Sequence, residues 1–289
     1  MNYAFKNILG TFIIDESFTA ISNKDDLKAK EVPPEKISAV LALFKNKLYF
    51  KQFYQENLKL TKAAIKNSVQ EDQLIMQAIS NISELDKINN LLSKRLREWY
   101  SLYLPELSEL IQDHQTFLKL ISQPKSALIK EFNISDSMGA DLDKKDIDQI
   151  SLLAAKLTEI YELKNLQETY LQGIMEKYCP NLLELAGTTI GAKLIELAKG
   201  LKRLALLPAS TVQLLGAEKA LFRHIKTGSR SPKHGIILNH QLVQKVSRDM
   251  KGKASRMLAD KLSLCARLDY FKGEFKAKEY KKELEKALK

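Results

Sequence analysis

Hydrophobic positions change their spacing along this chain, and the change divides it. Near the start they come in short β-prone runs, Phe12-Ile13-Ile14 and Phe18-Thr19-Ala20-Ile21, with Asp15-Glu16-Ser17 between. Aromatic and β-branched residues bounded by turn formers predict strands, here a hairpin. Val32-Pro33-Pro34 breaks that pattern, and Pro34 suits a first helical turn. From there the spacing turns helical: Ile37, Val40, Leu41, Phe44 and Leu48 recur on one face. Residues 56–100 continue as one or two long helices, ending near Trp99-Tyr100.

After Pro105, Leu107, Ile111, His114, Leu118 and Ile121 alternate in heptad spacing, which places a packed, hydrogen-bonded His114 in a seam. Asp136-Ser137-Met138-Gly139 reads as a loop. The acidic run Asp141 to Asp148 complements the positive end of a helix dipole. It opens a long amphipathic helix whose stripe includes Ile150, Leu157, Leu163, Tyr170 and Ile174. Two long helices joined by a short loop predict an antiparallel coiled coil. The stripe is either ordinary core or a protruding hairpin that pairs with another copy; the latter is preferred, because this region has little other globular mass.

Cys179-Pro180-Asn181 ends that helix. Gly187 and Gly191, one turn apart in a Leu/Ala-rich stretch, read as close helix packing. Gly200 suits a helix end, and Pro208 with Ser210 a new start. A last helix over residues 251–271 carries Ala254, Leu258, Leu262, Cys265 and Leu268 on one side. Beyond Gly273 the Lys/Glu-rich tail predicts a frayed, solvated helix.

Charge adds a second division. The net charge is +11, but residues 181–289 hold 23 Lys+Arg against 10 Asp+Glu, or +13, which leaves −2 for residues 1–180. A basic half favours polyanions through counterion release; a merely solvated basic surface is the alternative. No apolar run is long enough to predict a transmembrane helix, and the first residues do not resemble a signal peptide. Two distant cysteines, Cys179 and Cys265, suit a reducing cell interior.

Within the basic half, Leu214 to Arg223 reads as a glycine turn opening directly into a helix. Such a start offers unpartnered N–H groups and partial positive charge. Gly216, Ala217, Glu218 and Lys219 form it, with Arg223 and Lys226 further along the helix. Arg230, Lys233 and His234 follow in a Gly/Ser/Pro loop, and Arg248, Lys251, Lys253 and Arg256 surround the start of the last helix. These groups fit phosphate contacts on a shaped RNA, or on an RNA already held by another protein. Aromatic stacking platforms are scarce; His234 is the best candidate. No nucleophile, phosphate-loop or dinucleotide motif is present, and the histidine spacing matches no common zinc pattern. A non-catalytic chain without a cofactor or metal of its own is expected.

Leu204-Ala205-Leu206-Leu207-Pro208-Ala209-Ser210-Thr211-Val212-Gln213-Leu214-Leu215-Gly216-Ala217-Glu218-Lys219-Ala220-Leu221-Phe222 resembles the signature of the Nop domain. So do Thr227 to Ile237, Lys251 to Arg256 and Ala266 to Asp269, and, upstream, Arg95 to Leu102 and Ser137 to Asp141. The likeness covers about residues 85–275 and points to the archaeal scaffolds of box C/D guide ribonucleoproteins. It implies a Nop domain that binds a kink-turn guide RNA together with the ribosomal-type protein already on it. It implies self-association through the coiled coil. It also implies an N-terminal domain that holds fibrillarin, the methyltransferase that 2′-O-methylates RNA with S-adenosylmethionine. Gly216 to Lys219 match the motif whose helix start meets RNA, and Arg223, Arg230, Lys233 and His234 match the adjacent RNA-facing helix and loop. Asn239 stands where some eukaryotic relatives carry a histidine.

The expected fold is mainly α with a small α/β N-terminal domain, a long-helix coiled-coil hairpin and an all-helical basic Nop domain. The expected boundaries are 1–70 for fibrillarin docking, 71–180 for the coiled coil, 181–275 for the Nop domain and 276–289 for a basic helical or frayed tail. The expected location is the cytoplasm of an archaeal cell. A spliceosomal-type Nop protein without fibrillarin, and a purely structural coiled-coil protein, are the alternatives.

Overall fold

The structure is a computed structural model that describes residues 2–15, 21–22, 30–45 and 47–288. The chain forms two compact units, residues 1–70 and 71–289.

The first unit holds a small sheet in the order β3-β2-β1-β4. Strands β1 (Tyr3–Asn7) and β2 (Gly10–Ile14) form a hairpin in register Tyr3↔Ile14. β3 (Ile21–Ser22) pairs antiparallel with β2, and β4 (Lys30–Glu31) pairs parallel with β1. The Phe12-Ile13-Ile14 strand is therefore present, and Ile14 pairs with Ile21. Phe18, Thr19 and Ala20 lie outside the described residues. The hairpin over Tyr3–Ile14 was not expected: Ala4, Lys6 and Asn7 dilute its apolar signal.

Pro34 opens a 3-10 turn, Pro34–Lys36, that leads into α1 (Ile37–Leu43). α2 (Lys47–Asn67) is a separate helix, so the stripe from Ile37 to Leu48 belongs to two helices. Phe44 lies at the end of α1 and is buried against Phe5, Phe12, Tyr49 and Phe53 at centroid distances of 5.0–6.1 Å. With Ile14 and Val40 it forms the core of this unit.

The second unit is built on two long helices, α3 (Glu71–Tyr100) and α7 (Lys144–Tyr178). Lys164 Nζ reaches Asp86 at 2.6 Å and Ser93 Oγ lies 3.4 Å from Tyr161 Oη, so the helices run antiparallel. Between them sit α4 (Pro105–Leu110), α5 (His114–Leu120) and α6 (Lys125–Glu131). The expected heptad helix over residues 107–121 is thereby corrected. Asp113 accepts from Thr116 N at 2.7 Å and starts a new helix, so the apolar residues converge on a compact tip. That tip has its own core, including Leu96, Tyr100, Leu107, Phe117 and Leu157. His114 is half-buried and hydrogen-bonded, with Nδ1 accepting from Arg97 Nε at 2.9 Å.

At the other end, the stem enters a helical body. It comprises α8 (Pro180–Ala186), α9 (Thr188–Ala198), α10 (Leu201–Leu206), α11 (Ala209–Leu214) and α12 (Glu218–Thr227), then α13 (Gln241–Gln244), α14 (Lys251–Tyr270) and α15 (Ala277–Ala287). Ile75, Ile79, Met175, Leu194, Leu258 and Leu284 share one core, so the stem base and the basic helices form a single unit. Gly191 packs against Met175, whereas Gly187 breaks the chain between α8 and α9 at φ +76°. The tail is not frayed: α15 buries Ala277 and Leu284, and Lys261 Nζ meets Glu283 Oε2 at 2.5 Å.

A buried polar joint fixes that tail. The Asp269 carboxylate accepts from Asn181 N, Asn181 Nδ2 and Leu182 N at 2.8–3.0 Å. The Asn181 side-chain oxygen in turn accepts from Lys276 N and Ala277 N. Cys179 and Cys265 are free and buried. Among the described residues, no helix is long and apolar enough to cross a membrane.

Candidate nucleic-acid interface

Gly216 sits at φ +86°, a backbone conformation that side-chain-bearing residues rarely adopt. It turns the chain from α11 into α12. The Glu218 carboxylate folds back and accepts from Gly216 N at 2.8 Å. Glu218 therefore ties the turn together, while the first N–H groups of α12 receive no side-chain cap.

The following loop is clamped to the same turn. Gly235 N donates to Gln213 O and Ile236 N to Leu215 O, both at 2.8 Å, and Gln213 Nε2 donates to Lys233 O at 2.5 Å. A Cβ at Gly235 would lie 1.9 Å from Leu215 O, so only glycine permits this approach. At the other end of the loop, Gly228 N donates to His224 O, and the His224 ring bonds Ser229 O. Arg230 and Lys233 are exposed, and His234 is half-buried. The Lys233 stem lies 3.5 Å from a Cβ built on Gly252, which joins the loop to the first turn of α14.

The structure thus brings together Gly216, Ala217, Lys219, the loop through Lys233, and the Lys251–Lys253 turn. Arg256 lies one turn further along α14 and is exposed, as are Lys253 and Arg248; Lys251 is half-buried, its Nζ 3.2 Å from Gln244 Oε1.

α12 shows what the sequence reading missed. It buries no residue fully. Ala220, Leu221 and His224 are half-buried and mark its inner side. Phe222 and Ile225 are 69% and 70% exposed. At about 3.6 residues per turn the outer side grades from Ile225 and Phe222 to Lys226, Lys219 and Arg223. An apolar strip thus runs beside a basic strip on one helix. Leu221, Phe222 and Ile225 fall within about 100° of one side, the width of an ordinary buried stripe, so spacing gave no sign that Phe222 and Ile225 are exposed.

Among the described residues, no group of three His, Cys, Asp or Glu side chains is placed to hold a metal ion. His240 is buried; its Nε2 lies 2.8 Å from Leu185 O and its Nδ1 accepts from Leu242 N, so it caps α13. Burial lowers its pKa.

The Nop family model, described as a snoRNA binding domain, fibrillarin, matches residues 81–289. The chain belongs to the Nop family. Its Nop region thus includes the α3–α7 stem and α15 as well as the basic helices. An uncharacterized NOP5 family protein of Methanocaldococcus jannaschii is 42% identical over 270 residues, covering 87% of this chain and 65% of the relative. Nucleolar protein 56 of Saccharomyces cerevisiae is 37% identical, covering 74% of this chain and 47% of that protein. The Homo sapiens nucleolar protein 56 is 35% identical, covering 73% and 39%. The Nop chain therefore spans less than two thirds of each of these relatives. The crystal structure of a fibrillarin/Nop5p complex contains a chain of the same fold, with a TM-score of 0.50 at 22% identity over 100% of both chains.

Proposed function

We propose that this Nop protein is a non-catalytic scaffold of a box C/D ribonucleoprotein. Its α12 face binds a kink-turn guide RNA together with the small ribosomal-type protein on that RNA. Its N-terminal unit holds fibrillarin, which supplies S-adenosylmethionine-dependent 2′-O-methylation. The observation that carries this reading is the two-part face of α12. Lys219, Arg223 and Lys226 suit phosphate, while Phe222 and Ile225 suit a protein surface. The family description and the fibrillarin/Nop5p fold match support RNA and fibrillarin as partners.

Self-association through the stem is part of the proposal. Ile88, Leu91, Leu163 and Leu166 are exposed along α3 and α7, an apolar strip that a second copy would cover.

The test is recruitment to a kink-turn RNA carrying its bound protein, read by gel shift. Lys219→Ala with Arg223→Ala weakens recruitment and flattens its salt dependence, because each lost phosphate contact removes about one unit of salt slope. Phe222→Ala weakens recruitment with the salt slope unchanged. Both variants still bind fibrillarin. Unchanged recruitment by both variants, or equal binding to naked RNA, refutes the two-part face.

A further inference from the structure

The Arg95–Leu102 and Ser137–Asp141 motifs lie far in sequence from the basic face, and the RNA reading leaves them without a role. The structure brings them together at the tip of the stem. Arg97 donates to Ser108 O, Ile111 O, Gln112 O and His114 Nδ1 at 2.6–3.1 Å, and its guanidinium lies 4.4 Å from the Phe117 ring centroid. The 137–140 loop is held as firmly. Glu106 accepts from Met138 N at 2.8 Å and Ser137 Oγ at 3.0 Å. Gly139 N donates to Ser137 Oγ, and Ala140 N to Leu102 O at 2.8 Å. A Cβ on Gly139 would lie 2.1 Å from Tyr103 O, so the loop presses directly onto the end of α3.

This construction displays apolar side chains rather than burying them. Met138 is 88% exposed at the centre of the pinned loop, Leu102 is 58% exposed beside it, and Trp99 is 37% exposed one turn back along α3. Ordered, exposed apolar groups on a rigid frame are the mark of an interaction site, and methionine adapts to varied partners. The surrounding charge says what kind. Residues 101–143 carry three Lys against seven Asp+Glu, a net −4 in a chain of net +11. Asp141, next to the loop, has Lys125 Nζ 3.4 Å from its carboxylate, and Glu109, Glu131, Asp136 and Asp143 add exposed carboxylates around the tip. A polyanion is repelled here, and a basic protein surface is attracted.

We infer that the stem tip is a docking surface for a basic protein segment that inserts an apolar side chain against Met138, Leu102 and Trp99. It is distinct from the α12 face.

Trp99 is the only tryptophan of the chain and reports directly on this surface. The experiment titrates the full-length protein with a synthetic amphipathic peptide of leucines among lysines, following Trp99 emission. A matched peptide with glutamates for lysines, and a duplex RNA, serve as comparison probes. Saturable binding of the lysine peptide with a shift to shorter wavelength is expected. Met138→Glu and Leu102→Glu, both at exposed positions, each weaken it about ten-fold while the circular dichroism spectrum is unchanged. Equal response to the glutamate peptide, a response to RNA at Trp99, or no effect of either substitution overturns the inference. A Trp99 shift that depends on protein concentration alone, and is lost in Met138→Glu, overturns it in favour of a second copy.

Discussion

Replacing Gly235 by alanine tests whether one close backbone contact holds the RNA-facing loop. The new Cβ would sit 1.9 Å from Leu215 O and 2.8 Å from Leu214 C, both of them backbone atoms that cannot rotate away. The chain must separate there by about an ångström, which breaks the Gly235–Gln213 and Ile236–Leu215 hydrogen bonds. Two such bonds contribute about 2 kcal/mol together, and forced overpacking adds about 1–3, for a loss of about 3–5 kcal/mol. With a urea m-value of about 3 kcal/mol/M, the unfolding midpoint falls by about 1–2 M. Recruitment to the RNA–protein complex falls as well, since Arg230, Lys233 and His234 lose their anchorage. Gly173→Ala in α7 is the matched control: nothing lies within 4 Å of its added Cβ, so it stabilises by about 0.5–1 kcal/mol. A Gly235→Ala midpoint within about 0.3 M of the parent would show that the loop yields freely and that the contact is not structural.

Two further outcomes follow from the buried polar groups. Burial pushes the Asp269 pKa up, against the three hydrogen bonds that lower it. Asp269→Asn aims its amide donors at donors and lowers stability by about 2–4 kcal/mol, or roughly 5–15 °C in Tm; a raised Tm would mean that the desolvation of the carboxylate dominates. Burial lowers the pKa of His114, with Arg97 adding to the effect, and burial also lowers that of His240, each from the ordinary 6.5. As pH falls the unfolded chain takes up protons first, so this contribution is complete above about pH 6.5 and is lost below it. Denaturant titrations at pH 7.5 and 5.5 read the difference. A double variant His114→Gln/His240→Gln with the same pH slope as the parent would rule out these residues as its source.

Spacing was a sound guide along α14, where Ala254, Leu258, Leu262 and Cys265 are all buried, and the Gly216 turn stands where its glycine placed it. Along α7 it was half right: Ile150 and Leu157 are buried, but Leu163 and Tyr170 are exposed. The tip was not legible, because residues 107–121 keep helical spacing while folding as two helices. What separates them is the Asp113 cap and the Arg97 clamp, and Arg97 acts from a different helix. The tail looked solvated because its composition is charged, yet Ala277 and Leu284 suffice to seat it once Asn181 has received its first N–H groups. In the candidate interface, the positions of the cations were readable, but the fold-back of Glu218 and the exposure of Phe222 depend on three-dimensional placement. Spacing alone told neither which side of α12 faces the body nor that no residue on it is fully buried.

The α3–α7 stem makes the protein a ruler. Its 30-residue first arm spans about 45 Å and separates the tip core from the core beneath the basic face. Each residue added to both arms lengthens the stem by about 1.5 Å and also swings the tip about 100° around the axis. Reach and azimuth are therefore locked together. Steps of seven or eleven residues, about 10 and 16 Å, keep Met138 within about 20° of its present direction. Whatever meets the tip is held at one of a few discrete distances from whatever meets α12.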